Sequence, residues 1–280
     1  MSDPLRAIVL GAGYAGQGHA IALRLAGVEI AGMASRTAEV GVKIAASLQI
    51  PRYSPDWRGM LMELTPDIVA VGTPGGTHVE MISAALEAGC HILADKPLAT
   101  TAADSRKLYE QAKLKGVKTA YAASYWYQPQ AIYARELVRS GELGRVFEVE
   151  GVSHFHWPPL MPFGWPHRLE MGGGRLNNNF PHKLAIAQNV LGGEVLAAMG
   201  ESRNDLKRVP IGNDVHDFRD FARQAMSAEQ ASKLQWAEVD SDWAYTALLR
   251  IGDPARSLDD AVSVTFRHSA LRLGRYGDYM

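Results

Sequence analysis

Several groups of residues in this chain have types and spacings that chemistry could use. Gly11-x-Gly13-x-x-Gly16 has the spacing of a turn that cradles a dinucleotide pyrophosphate. Gly11 permits the tight turn, Gly13 lets backbone approach the phosphates, and Gly16 lets helix and strand pack closely, with Tyr14 and Ala15 completing the turn. The plain alternative is a glycine-rich connection that holds nothing. Farther on, residues 34–37 read Ala-Ser-Arg-Thr. NAD enzymes usually place Asp or Glu at that point for the ribose hydroxyl, and such a carboxylate would repel a 2′-phosphate. Ser35 can donate a hydrogen bond, and the Arg36 guanidinium can pair with phosphate or stack on adenine. The expectation is NADP(H), with NAD as the alternative if Arg36 is only a solvated helix-start residue. Asp95-Lys96-Pro97 offers an ammonium on a backbone stiffened by proline. The alternative there is an ordinary surface lysine.

The substrate side is read from composition. Tyr125, Trp126, Tyr127, Trp157, Trp165, His154, His156, His167 and Arg168 lie close in sequence. Aromatic faces suit C–H-rich rings, and arginine suits a carboxylate or phosphate. Core or oligomer contacts are the competing use of these side chains. His154-x-His156 shares a strand face, but no carboxylate or cysteine accompanies it at ligand spacing, so no metal is expected.

The elements that must position these groups alternate in the first half. Residues 6–10 read as a buried strand running into the glycine turn, and 19–25 continue as helix. Strand patterns follow at 28–34, 67–71, 91–94 and 117–121, with helical patterns at 37–48, after Thr77 as cap, and at 101–115. Strand and helix alternating at this length imply βαβ units and a doubly wound, Rossmann-type parallel sheet. Lys96 then lies just past a strand's carboxyl end, where ligands of open α/β sheets bind.

The second half changes character. Helices are expected at 131–140 and 181–191, and around Phe218, Phe221, Ala222, Ala225 and Met226. Strand alternation marks 146–155, 195–200, the run from Trp243 to Leu249, and 260–273. Strands without intervening helices suggest an α+β domain with a largely antiparallel, open sheet covered on one face. The boundary is placed so that 1–121 is the dinucleotide-binding domain and 122–280 the substrate and oligomerisation domain.

Composition narrows the function classes. The 280 residues carry a net charge of −1 with 47% hydrophobic residues, which describes a folded protein with no global attraction to nucleic acid or anionic membranes. No apolar run is long enough to span a bilayer. The start of the chain has no signal-peptide pattern, and the single Cys90 fits a reducing compartment. A cytoplasmic location is therefore expected.

Taken in order, several motifs resemble the glucose–fructose oxidoreductase, inositol dehydrogenase and rhizopine-catabolism (Gfo/Idh/MocA) family. They are the glycine turn with His19, Thr73-Pro74-x-x-Thr77-His78, Asp95-Lys96-Pro97-Leu98-Ala99, Tyr125-x-Tyr127-x-Pro129, Ser140-Gly141-Glu142-Leu143-Gly144, and Gly172-Gly173-Gly174 through His182. Glu-Lys-Pro is the usual form of the third, so Asp95 is a departure. The resemblance implies hydride transfer between a nicotinamide and a sugar, polyol or related hydroxy compound. It implies Thr73, Pro74, His78 and Asp95 as cofactor neighbours, and Lys96 and His182 as active-site residues. Asn178 stands where the family commonly has Asp, and Ala185 where it often has another. An amide cannot titrate, but it can orient His182 or hold a substrate hydroxyl. Either Lys96 or His182 can carry the proton, while a capping or core histidine is the alternative for His182. The resemblance also implies further strands that would complete the sheet beyond Met280, so a short or truncated second domain is expected, its open face covered in a homodimer or homotetramer. A redox-neutral, NAD-assisted lyase or glycosidase and a non-catalytic dinucleotide sensor remain as alternatives.

Overall fold

The computed structural model describes residues 3–272 and the backbone of 277–279. Two compact units result. The first comprises the chain up to Ala122 together with Glu170–Gly172 and Gly212–Gln224, and the second comprises Ala123–Leu169, Gly173–Ile211 and the chain from Ala225 onward.

The first unit alternates as its sequence pattern requires: β1 (Arg6–Leu10), α1 (Tyr14–Leu25), β2 (Glu29–Ala34), α2 (Ala38–Ser47), β3 (Tyr53–Ser54), α3 (Trp57–Leu64), β4 (Ile68–Val71), α4 (His78–Glu87), β5 (His91–Ala94), α5 (Ala102–Lys115) and β6 (Thr119–Tyr121). All strand pairs are parallel, in the order β3-β2-β1-β4-β5-β6. The order reverses between β1 and β4, which is the topological switch point of a doubly wound sheet. Alternate residues of β1 feed opposite faces. Ile8 and Leu10 pack with Met60, Ile82 and Leu86, whereas Ala7 and Val9 pack with Ala20, Met33 and Ala45. Burial on both sides explains why β1 reads as an unbroken apolar run.

Helix ends follow local chemistry. Asp56 Oδ1 accepts the Gly59 amide at 2.9 Å to start α3, and Thr101 Oγ1 accepts the Asp104 amide at 3.0 Å to start α5. Thr77 departs from its expected capping role. A 3₁₀ turn at Gly75–Thr77 precedes α4, and the Thr77 hydroxyl turns back to donate to the Pro74 carbonyl at 2.9 Å. The helix expected around Phe218 to Met226 is a single turn, Asp220–Arg223. Asp217 Oδ1 accepts the backbone N–H of Arg219 at 2.9 Å, a local bond that competes with helix extension.

The second unit contains α6 (Pro129–Arg139), β7 (Glu148–His154), α7 (Arg175–Asn178), α8 (Phe180–Leu191), β8 (Glu194–Arg203), β9 (Arg208–Pro210), β10 (Trp236–Glu238), β11 (Ala244–Gly252), β12 (Val262–Ser269) and β13 (Gly277–Tyr279). Five strands form one sheet, β13-β7-β12-β11-β8, and β9 pairs with β10 separately. Only the β7–β12 pair is parallel in the larger sheet. Tyr245, Ala247, Leu249 and Ile251 of β11 join Val264 and Phe266 of β12 in a core that includes Ala187 of α8. Phe180 meets Tyr245 and Phe266 edge-on at 5.7 and 5.9 Å. The intervening Leu248 is 42% exposed, so one face is covered and the other open. The strand expected over 260–273 ends at Ser269, and residues 273–276 lie outside the described residues. Among the described residues, no helix is long and apolar enough to cross a membrane.

Backbone closeness at the switch point generates a stability prediction. A Cβ on Gly72 would lie 2.6 Å from the Gly16 amide nitrogen, and one on Gly16 would collide with the Gly11 carbonyl. Gly16→Ala is therefore expected to lower unfolding free energy by about 1–3 kcal/mol through overpacking. Urea denaturation checks it: an unchanged midpoint would show that α1 can lift off β1 without cost.

Candidate active site

The glycine turn closes β1 onto α1 at the switch point. Gly11 has φ +109°, and a Cβ there would lie 2.8 Å from the Gly72 carbonyl oxygen. The Gly11 amide donates to the Ala34 carbonyl at 2.7 Å, which ties the turn to the end of β2. No acidic residue stands in the first turn of α1. Its free amides and partial positive charge are therefore uncancelled. At the end of β2, the Tyr53 hydroxyl donates to the Ser35 carbonyl at 2.9 Å. Arg36 pairs with Asp214 at 2.6 Å, and Thr37 Oγ1 lies 3.3 Å from His216 Nδ1. The Gly212–Gln224 segment thus runs alongside this end of the sheet. Its Arg219 guanidinium lies 5.2 Å over the Tyr14 ring and 3.4 Å from Gln17 Oε1. These features fit a cofactor containing ADP: a cradle that side chains would fill, flanked by two guanidiniums.

Thr73 and Pro74 follow β4. His78 is fully buried, its Nε2 2.8 Å from the Thr73 carbonyl and its Nδ1 3.2 Å from the Leu98 carbonyl. Burial holds the ring below its ordinary pKa against the pull of both carbonyls. His78 therefore braces the loops after β4 and β5, and its effect on any ligand passes through them. Asp95 continues β5 by donating its amide to the Val71 carbonyl at 2.8 Å, and a cis Lys96–Pro97 bond follows. Lys96 consequently stands at the carboxyl edge of the sheet. Glu170–Gly172 packs on the same edge, where a Cβ on Gly172 (φ +77°) would lie 3.1 Å from Pro97. Burial lowers the His19 pKa while the Asp95 charge opposes it. Burial, with the Asp95 charge in support, pushes the Tyr121 phenol up to about 12.

In the second unit, His182 occupies the first turn of α8 and stacks on Tyr125, ring centroids 4.2 Å apart. Tyr125 sits on the short turn Ser124–Tyr127, which Asn189 Nδ2 anchors by donating to the Trp126 carbonyl at 3.2 Å. Asn178 ends α7 half-buried, with its amide donated to the Gly174 carbonyl. Its neighbour Asn179 is the buried hub: Oδ1 accepts from Tyr245 Oη at 2.6 Å and from Ser153 Oγ at 3.2 Å. Ser153 Oγ in turn lies 2.7 Å from His268 Nδ1.

Sequence reading missed Arg175 and Asp242. The Arg175 guanidinium lies against two indoles, 4.6 Å from the Trp157 ring and 4.7 Å from the Trp243 ring, which themselves meet edge to face. Asp242 Oδ2 accepts the amides of Arg175 and Leu176 at 3.0 and 2.9 Å, capping α7 from far along the chain. Burial lowers Arg175 to about 10 and raises Asp242. Trp157 therefore faces Arg175 on one side, while Arg168 is exposed beyond the Trp165–His167 turn. Of the expected substrate residues, Tyr125 and His182 are in direct contact. Trp157 packs its ring against the Arg175 guanidinium.

Comparison with known proteins follows the same two units. A family model described as the oxidoreductase family with an NAD-binding Rossmann fold matches residues 5–123, and a Gfo/Idh/MocA C-terminal domain model matches 132–275. The chain belongs to the Gfo/Idh/MocA family. It is 28% identical over 163 residues to the levoglucosan dehydrogenase of Pseudarthrobacter phenanthrenivorans, covering 57% of this chain and 42% of that protein. It is 32% identical over 181 residues to the dTDP-3,4-didehydro-2,6-dideoxy-alpha-D-glucose 3-reductase of Saccharopolyspora spinosa, covering 65% and 53%. The chain thus spans about half the length of these curated relatives. A solved levoglucosan dehydrogenase in complex with NADH and L-sorbose shares the fold, with TM-score 0.83 at 21% identity over 97% of this chain and 68% of that one.

The histidines of the second unit make this Gfo/Idh/MocA member acid-sensitive. Burial drives His167 down to about 4 and His268 down to about 3. Both are neutral when folded and take up protons when unfolded below about pH 6.5. Their contribution to stability is complete above that value and is lost as pH falls toward 4 and then 3, at about 1.4 kcal/mol per imidazole per pH unit inside the window. The urea midpoint should drop between pH 7 and pH 4.5, and His268→Gln should flatten the drop. A midpoint independent of pH would refute the assignment.

Proposed function

We propose that this chain is an NAD(P)-dependent dehydrogenase, preferring NADP(H), that acts on a secondary alcohol or ketone of a sugar, polyol or related hydroxy compound. The observation that carries the reading is the position of Lys96 at the carboxyl end of β5, on the edge of the sheet that also bears the glycine turn. Gly11, Gly13, Tyr14, Ala15 and Gly16 would hold the pyrophosphate, Ser35 and Arg36 the adenosine ribose and its phosphate, and Thr73, Pro74 and Asp95 the inner half. When bound, the nicotinamide supplies the hydride acceptor or donor.

The chain's own residues handle the proton. Either Lys96 Nζ or the His182 imidazole takes it from the hydroxyl. Tyr125 holds the imidazole plane. The Asn178 amide orients His182 or a substrate hydroxyl, with Trp157 and Arg168 on the substrate side. We further propose a cytoplasmic homodimer or homotetramer formed through the five-stranded sheet. Its open face carries Leu248 and Met199, which are 42% and 70% exposed.

Lys96→Met should cut kcat by about 10²–10⁴-fold with dinucleotide affinity nearly unchanged, read in a polyol panel with NADPH formation followed by absorbance. Full activity would remove Lys96 from the mechanism. Turnover of substrate without net NADPH would point to the redox-neutral lyase instead, and tight NADPH binding without any turnover to a sensor. Arg36→Ala should weaken NADPH by about ten-fold more than NADH, and equal weakening would argue against recognition of a 2′-phosphate.

A further inference from the structure

The end of β2 lacks a carboxylate in sequence but not in space. Asp214 places one 2.6 Å from the Arg36 guanidinium. Its position is held from several sides. His216 Nδ1 lies 3.3 Å from Thr37 Oγ1, and the His216 carbonyl is 3.2 Å from where a Gly13 Cβ would stand. Beyond it, Arg219 is clasped by Asp217 at 2.7 Å and lies over Tyr14. Phe221, on the single helical turn that follows, is fully buried. Residues 214 to 219 therefore track the ADP half of the cradle, from the ribose end at Arg36 to the pyrophosphate end at the start of α1.

We infer that Asp214 moderates the NADP(H) preference that Arg36 confers, competing against a 2′-phosphate for the Arg36 guanidinium and offering the acceptor that a 2′-hydroxyl needs. This rests on the reading that the glycine turn holds a nicotinamide dinucleotide. The physical argument is one of charge. A lone arginine at this place favours a 2′-phosphate. A carboxylate already seated on it must be displaced first, and it repels the incoming phosphate at short range. The same carboxylate can accept a hydrogen bond from an unphosphorylated ribose. NADH thus keeps a binding partner that Arg36 alone would deny it. The two side chains are 79% and 60% exposed, so the pair contributes little to folding and its removal leaves the unit intact.

The test is direct binding, followed by dinucleotide fluorescence, of NADPH and NADH to the wild-type chain and to Asp214→Ala and Asp214→Glu. Asp214→Ala should shift the NADPH-to-NADH affinity ratio by about ten-fold toward NADPH, and Asp214→Glu should restore most of the wild-type ratio. The fragments 2′,5′-ADP and 5′-ADP should show the same shift, which confines it to the adenosine end. A ratio unchanged in Asp214→Ala while the wild type binds both dinucleotides would overturn this role of Asp214. Failure of the wild type to bind either dinucleotide would instead overturn the cofactor reading itself.

Discussion

Three glycines in backbone contact determine the geometry of the first unit. Gly11 and Gly16 stand at the two ends of one turn, and Gly72 ends the strand beside it. Space for a single methyl group is missing at any of them. That closeness seats the start of α1 on the gap between β1 and β4, where the strand order reverses. The start of α1 is flanked there by the 214–219 segment, with the His216 carbonyl beside Gly13 and the Arg219 guanidinium over Tyr14. The loops carrying Thr73 and Lys96 leave the same edge, and His78 holds them through two backbone carbonyls. The ligand edge is thus a product of close main-chain packing, with few side chains needed to shape it.

The second unit solves a different problem. Here polar groups are buried, and several are satisfied at short range. Asn179 ties Ser153 and Tyr245 together through one oxygen. Arg175 is buried, yet its guanidinium lies against two indole rings near a carboxylate. Such an arrangement is costly to leave half made, since an unmatched charge in a low-dielectric core forfeits its hydration. It fixes the short helix α7, and with it the start of α8 that bears His182.

The parts of this architecture legible in sequence were those set by neighbours along the chain. Parallel strands in the first unit read clearly because both faces are covered and each run is apolar throughout. The glycine turn reads from local spacing, and the proposed roles of Lys96 and His182 rest on family resemblance. Partners far away in sequence were not legible. Asp242 caps α7 from 67 residues on, and Asp214 reaches Arg36 from 178 residues on, with no periodicity to announce either. Phe218 and Phe221 share a helical spacing, which suggested an amphipathic helix. Asp217 instead bonds the backbone and leaves one turn, with Phe221 buried on it. Alternation located β7 and β12 but could not say that they run parallel, because direction depends on the path between them.

The stacked rings of Tyr125 and His182 carry a thermodynamic consequence. An imidazole lying flat on a phenol at 4.2 Å has already surrendered its rotational freedom. The loss was incurred when α8 and the Ser124–Tyr127 turn came together during folding. In the proposed reaction, a group meeting the His182 ring would find it already aimed, and the step would carry little activation entropy.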